Sequence, residues 1–92
     1  MNVKIKYFAN FREITGKSEE QMEIQKNSTI KNVLDKVIEE HPDLEQEIFE
    51  DNELSDYVNI LVDRRNILDR NGLDTKISSN DTIAIFPPIS GG

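Results

Sequence analysis

The apolar and polar positions of this chain change period several times, and each change marks an element. From Met1 to Ala9, Val3, Ile5 and Tyr7 alternate with Lys4, Lys6 and Phe8, the period of two shown by a half-buried strand. The first set predicts a core-facing surface, which leaves Phe8 as an aromatic on the face that carries lysines. Asn10 to Ser18 reads as a connection turned by Gly16-Lys17. Gln21 to Gln25 reads as a second strand, with Met22 and Ile24 inward, forming a hairpin with the first. The period then lengthens. Ile30, Val33, Leu34, Val37 and Ile38 recur at i, i+3, i+4, i+7 and i+8, one apolar stripe along a helix from Ile30 to about Glu40. Asn27-Ser28-Thr29 supplies its cap, through either hydroxyl, and Pro42 stops it. Leu44, Ile48 and Phe49 anchor a short second helix opened by Pro42, with the remainder to Asp56 a solvated loop. Alternation resumes from Tyr57 to Val62, with Val58, Ile60 and Val62 on one side and Tyr57, Asn59 and Leu61 on the other. Asn66-Ile67 reads as a short edge strand. Leu68 to Ile77 reads as irregular, plugged into the core by Leu73 and Ile77. Thr82 to Phe86 is the last strand, and pairing ends at Pro87, which has no N–H for a ladder.

Strand, strand, helix, strand, strand in one short chain describes an α+β domain. The expected architecture is a mixed sheet of four to five strands with one main helix packed on one face. The first and last strands, both rich in apolar residues, suit a central, adjacent placement. That arrangement is the ubiquitin-like β-grasp. Residues 1–86 are assigned to this domain and residues 87–92 to an extended C-terminal tail. Pro87 and Pro88 stiffen the base of the tail, and Ser90, Gly91 and Gly92 keep its end narrow. Six extended residues span at most about 20 Å. A thin segment tipped by a carboxylate fits a narrow channel in another protein; the alternative is an ordinary frayed chain end.

Composition narrows the chemistry. Ninety-two residues suffice for one core without staples. The chain has no cysteine, hence no disulfide, thiolate metal site or cysteine nucleophile. His41, the single histidine, stands beside Pro42 among acids and reads as a surface residue. No paired-histidine metal spacing, nucleophile with a nearby base or glycine-rich phosphate loop occurs. These absences describe a carrier or substrate for enzymes rather than an enzyme, with no metal and no bound cofactor. A formal charge of −7, from 18 acids and 11 bases, disfavours nucleic acid. No signal peptide or apolar run of membrane length is present, so no membrane association and a cytoplasmic location are expected. Nine acids and no Lys or Arg lie between Glu39 and Asp56. That block is either plain solvated surface or a face suited to a basic partner. Phe8, Leu61, Ala84 and Phe86 all fall on the face away from the helix. If their strands are neighbours they form an apolar docking patch at the base of the tail; otherwise Phe8 or Phe86 packs under a loop.

Two stretches carry a resemblance: Lys6-Tyr7-Phe8-Ala9-Asn10-Phe11-Arg12-Glu13 and Ile85-Phe86-Pro87-Pro88-Ile89-Ser90-Gly91-Gly92. With them, and with its element order and length, the chain resembles the MoaD/ThiS sulfur carriers, in particular the small subunit of molybdopterin synthase. The resemblance implies that a ubiquitin-activating-type adenylyltransferase adenylates the Gly92 carboxylate with ATP. A sulfur donor then displaces the adenylate and leaves a thiocarboxylate. In molybdenum-cofactor synthesis that sulfur passes to a pterin precursor in the large subunit of molybdopterin synthase. Gly92 takes the reactive role, and Gly91, with Ser90, Pro87 and Pro88, the access role. Arg12 matches the family's Arg-Glu position, which implies a partner contact, beside the alternative of a surface ion pair with Glu13 or another neighbour. The same activated terminus would also serve conjugation to lysines of other proteins, or sulfur delivery to tRNA or thiazole. An interaction module with an inert tail is a further class.

Overall fold

The alternation at the start of the chain is realised as strand β1 (Asn2–Tyr7), with Val3, Ile5 and Tyr7 buried. The structure, a computed structural model, describes residues 1–87. Three further strands complete the middle and one edge of the main sheet: β2 (Glu19–Glu23), β5 (Asn59–Val62) and β7 (Thr82–Phe86). With β6 (Arg65–Asn66) at the other edge, the order is β2-β1-β7-β5-β6. β1 runs parallel to β7, and every other pairing is antiparallel. The first and last strands are therefore central neighbours, as their apolar content predicts. Register sets Ile5 opposite Ile83 and Ile83 opposite Val62; one row on, Tyr7 faces Ile85 and Ile85 faces Ile60. All six side chains are buried.

Helix α2 (Ile30–Glu40) covers these rows with Ile30, Val33, Leu34 and Val37. This is the β-grasp, a mixed five-stranded sheet with one long helix on one face. Its cap is resolved in favour of Thr29. The Thr29 hydroxyl accepts from the Asn32 N–H at 3.4 Å, and the Asn32 side-chain oxygen accepts from the Thr29 N–H at 2.9 Å. Two otherwise orphaned donors are thus satisfied reciprocally. Ser28 is buried and donates to the Gln25 carbonyl instead.

Several expectations are corrected. Asn10 to Ser18 is no plain connection, since Asn10–Thr15 forms helix α1 with Phe11 buried. Gly16 closes it at φ 76, where its N–H donates to the Arg12 carbonyl at 2.9 Å. β2 begins two residues earlier than expected, although Met22 and Ile24 are both buried. Pro42–Leu44 forms a 3-10 turn that leads into the short helix α3 (Glu45–Ile48). The stretch after it is not all loop: β3 (Phe49–Glu50) and β4 (Glu53–Leu54) form a separate hairpin. Asp51 and Asn52 turn that hairpin at φ 53 and 68, conformations that these short polar residues tolerate. Tyr57 lies outside β5 and is exposed. β6 sits one residue earlier than expected, because Ile67 is drawn into the core at the start of a 3-10 turn. Ile77 is buried and Leu73 packs partly against the core. β7 has the expected bounds, and Pro87, outside the ladder, is buried. Among the described residues no helix is long and apolar enough to cross a membrane.

Candidate functional site

The face of the sheet opposite α2 is built by the same register that fills the core. Alternation sends Lys6, Ala84 and Leu61 outward, and pairing lines them up, Lys6 opposite Ala84 and Ala84 opposite Leu61. Each is half-buried. Phe8 follows β1 directly and stacks on Phe86, with ring centroids 4.1 Å apart and planes inclined by 14°. Such a stack is worth about 1 kcal/mol beyond the area it covers. Phe8, Leu61, Ala84 and Phe86 therefore meet on one surface, the floor of a groove of about 470 Å³.

Lys6, Asp63, Arg64 and Thr82 form the rim of that groove. The turn between β5 and β6 holds Asp63 and Arg64 at φ 47 and 75. Its backbone is tied to the start of β7. The Thr82 N–H donates to the Asp63 carboxylate, and the Asp63 N–H donates to the Thr82 carbonyl, each at 2.9 Å. Burial, reinforced by the neighbouring Asp63, pushes the Asp81 carboxyl above its usual value against the opposing Ser78 N–H. The groove is thus an apolar floor with one mixed-charge wall, anchored to the strand that leads into the tail.

Arg12 is not part of the groove lining. It is exposed on α1, and among the described residues it has no ion pair, with Glu13 or any other acid. Pro87 ends the described chain. The rest of the tail, residues 88–92, which includes the candidate positions Pro88, Ser90, Gly91 and Gly92, lies outside the described residues.

On the helix side of the sheet a polar cluster stands where sequence reasoning placed none. The Tyr7 hydroxyl donates to Glu20 Oε2 at 2.5 Å, and His41 Nε2 lies 2.7 Å from the same oxygen. The Tyr7 and His41 rings meet edge to face at 5.8 Å. His41 is accordingly not a surface residue: its side chain is only 16% exposed. Burial pushes the Glu20 carboxyl up, yet the hydrogen bonds from Tyr7 and His41, with the charges of His41 and Lys17, hold it below its usual value. Burial and then Glu20 itself push the Tyr7 phenol up. The cluster joins β1, β2 and the end of α2. One signal for it was available, because a tyrosine in a core row needs a partner for its hydroxyl. The partners lie 13 and 21 residues apart along the chain, beyond any local pattern.

Comparison with known proteins adds the family. The ThiS family model matches residues 5–92. Small archaeal modifier protein 1 of Haloferax volcanii is 34% identical, over 95% of this chain and 97% of its own. The crystal structure of SAMP1 from the same organism matches with a TM-score of 0.90 at 30% identity, covering 100% of both chains. A candidate molybdopterin converting factor subunit 1 from Pyrococcus furiosus matches with a TM-score of 0.80 at 28% identity, over 97% of this chain and 99% of its own.

Proposed function

The chain belongs to the ThiS family, among ubiquitin-like sulfur carriers and modifiers, and from that premise we propose that Gly92 is the residue it carries into chemistry. A terminal carboxylate has an ordinary pKa of about 3.3–3.7 and is ionised at neutral pH. In an adenylyltransferase of the ubiquitin-activating type, one carboxylate oxygen attacks the α-phosphate of ATP and pyrophosphate leaves. Hydrosulfide supplied by the sulfur donor then attacks the acyl carbon, AMP leaves with the bridging oxygen and the S–H proton is lost, so that one oxygen of Gly92 is replaced by sulfur. The thiocarboxylate delivers its sulfur to a pterin precursor in the large subunit of molybdopterin synthase. Gly91 and Ser90 keep the approach narrow, and Pro87 and Pro88 limit the swing of the base.

The observation that carries this reading is the position of the stacked Phe8–Phe86 pair. Phe86 is the last residue of β7, and Pro87 follows it. A partner seated on the floor of Phe8, Leu61, Ala84 and Phe86 therefore grips the fold where the tail begins. From Phe86 the terminal carboxylate is at most about 20 Å away, which fixes the reach of the tail into the partner's active site. Arg12, exposed on the neighbouring helix, offers the same partner a cationic contact.

Conjugation of Gly92 to lysines is a second reading, favoured by the similarity to proteins named small archaeal modifiers. It shares the adenylate and differs in the nucleophile, an amine in place of sulfur. Delivery to tRNA or thiazole would use the same thiocarboxylate. Co-purification with a pterin-binding large subunit supports the first reading, and branched peptides ending in Gly-Gly on lysines support the second. The docking step is tested with Phe86→Asp. A charge placed in a buried partner interface costs several kcal/mol, so affinity for the activating enzyme or the large subunit should fall at least about a hundredfold. Circular dichroism should stay unchanged. Calorimetry showing unaltered affinity contradicts the docking role.

A further inference from the structure

The helical layer carries a second surface whose described lining shares no residue with the Phe8–Phe86 groove. A cleft of about 630 Å³ lies between α2 and the segment formed by α3 and the β3–β4 hairpin. Ile38 and Phe49, both half-buried, supply its apolar lining. Asp35 and Glu39 border it from α2, and Glu45 and Asp51 from the opposite side. Among the described residues Lys31 is the one cation in the lining, against four carboxylates, a balance of −3.

Lys31 shows what the cleft accepts. Its ammonium group lies 5.6 Å from the centre of the Phe49 ring and 2.6 Å from Asp35 Oδ1. The chain places its own cation against the aromatic face and a carboxylate together. Both members of that ion pair are about half exposed, and such surface pairs contribute little. A better-matched cation can therefore take the place of Lys31. A guanidinium is better matched, because it is planar, stacks on an aromatic face and addresses two carboxylates at once.

The geometry points to this cleft as a docking site for an arginine-bearing segment of a partner protein, in which the arginine displaces Lys31 over Phe49 and apolar neighbours rest on Ile38. The four carboxylates select a basic partner. The site lies on the opposite layer of the domain from the Phe8–Phe86 groove, so a protein bound here leaves that groove open to its own partner. Docking in this cleft requires no chemistry at Gly92.

The test is a titration of the isotope-labelled full chain, followed by amide chemical shifts, with the peptide acetyl-Gly-Leu-Arg-Leu-Gly-amide. The same peptide with citrulline replacing arginine keeps the shape and removes the charge. Shifts should concentrate at residues 31–39 and 45–52, and the citrulline peptide should bind at least about tenfold more weakly. Asp35→Asn, Glu45→Gln and Asp51→Asn together should weaken binding about tenfold. An equal loss of charge elsewhere, Glu19→Gln, Glu23→Gln and Asp69→Asn, should change it less than about twofold. Lys31→Ala should strengthen binding about threefold by removing the internal competitor. A chain lacking Gly91 and Gly92 should bind as well as the full chain, which keeps this result separate from the fate of the terminus. Shifts spread over the acidic surface, equal losses in the two charge triples, or weaker binding by Lys31→Ala would each overturn the proposal.

Discussion

Glu20 shows how one side chain fastens three elements. Its oxygen receives the Tyr7 hydroxyl from β1 and faces His41 at the end of α2, and hydrogen bonds to a charged group contribute about 1.5–3 kcal/mol each. The folded state holds its carboxyl below the usual value. A depressed carboxyl stabilises the fold above the unfolded-state pKa, about 4.3 for glutamate, and that contribution is lost as pH falls through the lower folded value. Wild type should therefore exceed Glu20→Gln in stability by about 1–2 kcal/mol at pH 7, with the gap closing below about pH 4. Asp81, whose carboxyl is raised, acts in the opposite sense but is common to both proteins and drops out of the difference. Urea unfolding of the pair at pH 7 and pH 3 measures it. A gap unchanged by pH contradicts the role of the ionised carboxylate.

Among the elements, length and punctuation decide what a sequence reveals. α2 and β7 were legible in extent because each joins a full period to a chemical stop, Pro42 after the helix and Pro87 after the strand. α1 has six residues, and β3 and β4 have two each. None of these completes enough of a period to stand out. Their positions are set by capping and turn geometry instead. Gly16 ends α1 at φ 76, and a Cβ there would meet nothing within 4 Å. The cost of a side chain at this position is therefore backbone strain alone. Gly16→Ala should lose about 1 kcal/mol, and Gly16→Asn less, since asparagine accepts this conformation more readily. Thermal unfolding of wild type and the two variants tests the ranking, and a Gly16→Ala variant as stable as wild type contradicts a left-handed cap. The outer groove was legible for a different reason. A period-two pattern assigns faces, and the expected adjacency of the first and last strands then brings Phe8, Ala84 and Phe86 together. The acidic cleft was not, because it depends on a hairpin that the pattern does not announce.

At the scale of the whole molecule, the β-grasp separates its surfaces by layer. The sheet's free face carries the Phe8–Phe86 groove, and the helical layer carries the acidic cleft. Between them, the core rows of β1, β7 and β5 hold Phe86 in a fixed position at the end of a central strand. In the proposed function the fold is a handle, and the carboxylate of Gly92 would carry the chemistry. Enzymes lose large factors when a reacting group is misplaced by about 1 Å. Deleting Gly92 moves the carboxylate back by about 3.3 Å, and adding one residue after it moves it forward by the same amount. Both variants should fold and dock as wild type does. The most direct measurement is intact mass after incubation with the activating enzyme, ATP and a sulfur source. Wild type should show one oxygen replaced by sulfur at its terminus, and neither variant should. Sulfur gained by the shortened chain as readily as by wild type, or by none of the three, contradicts the account.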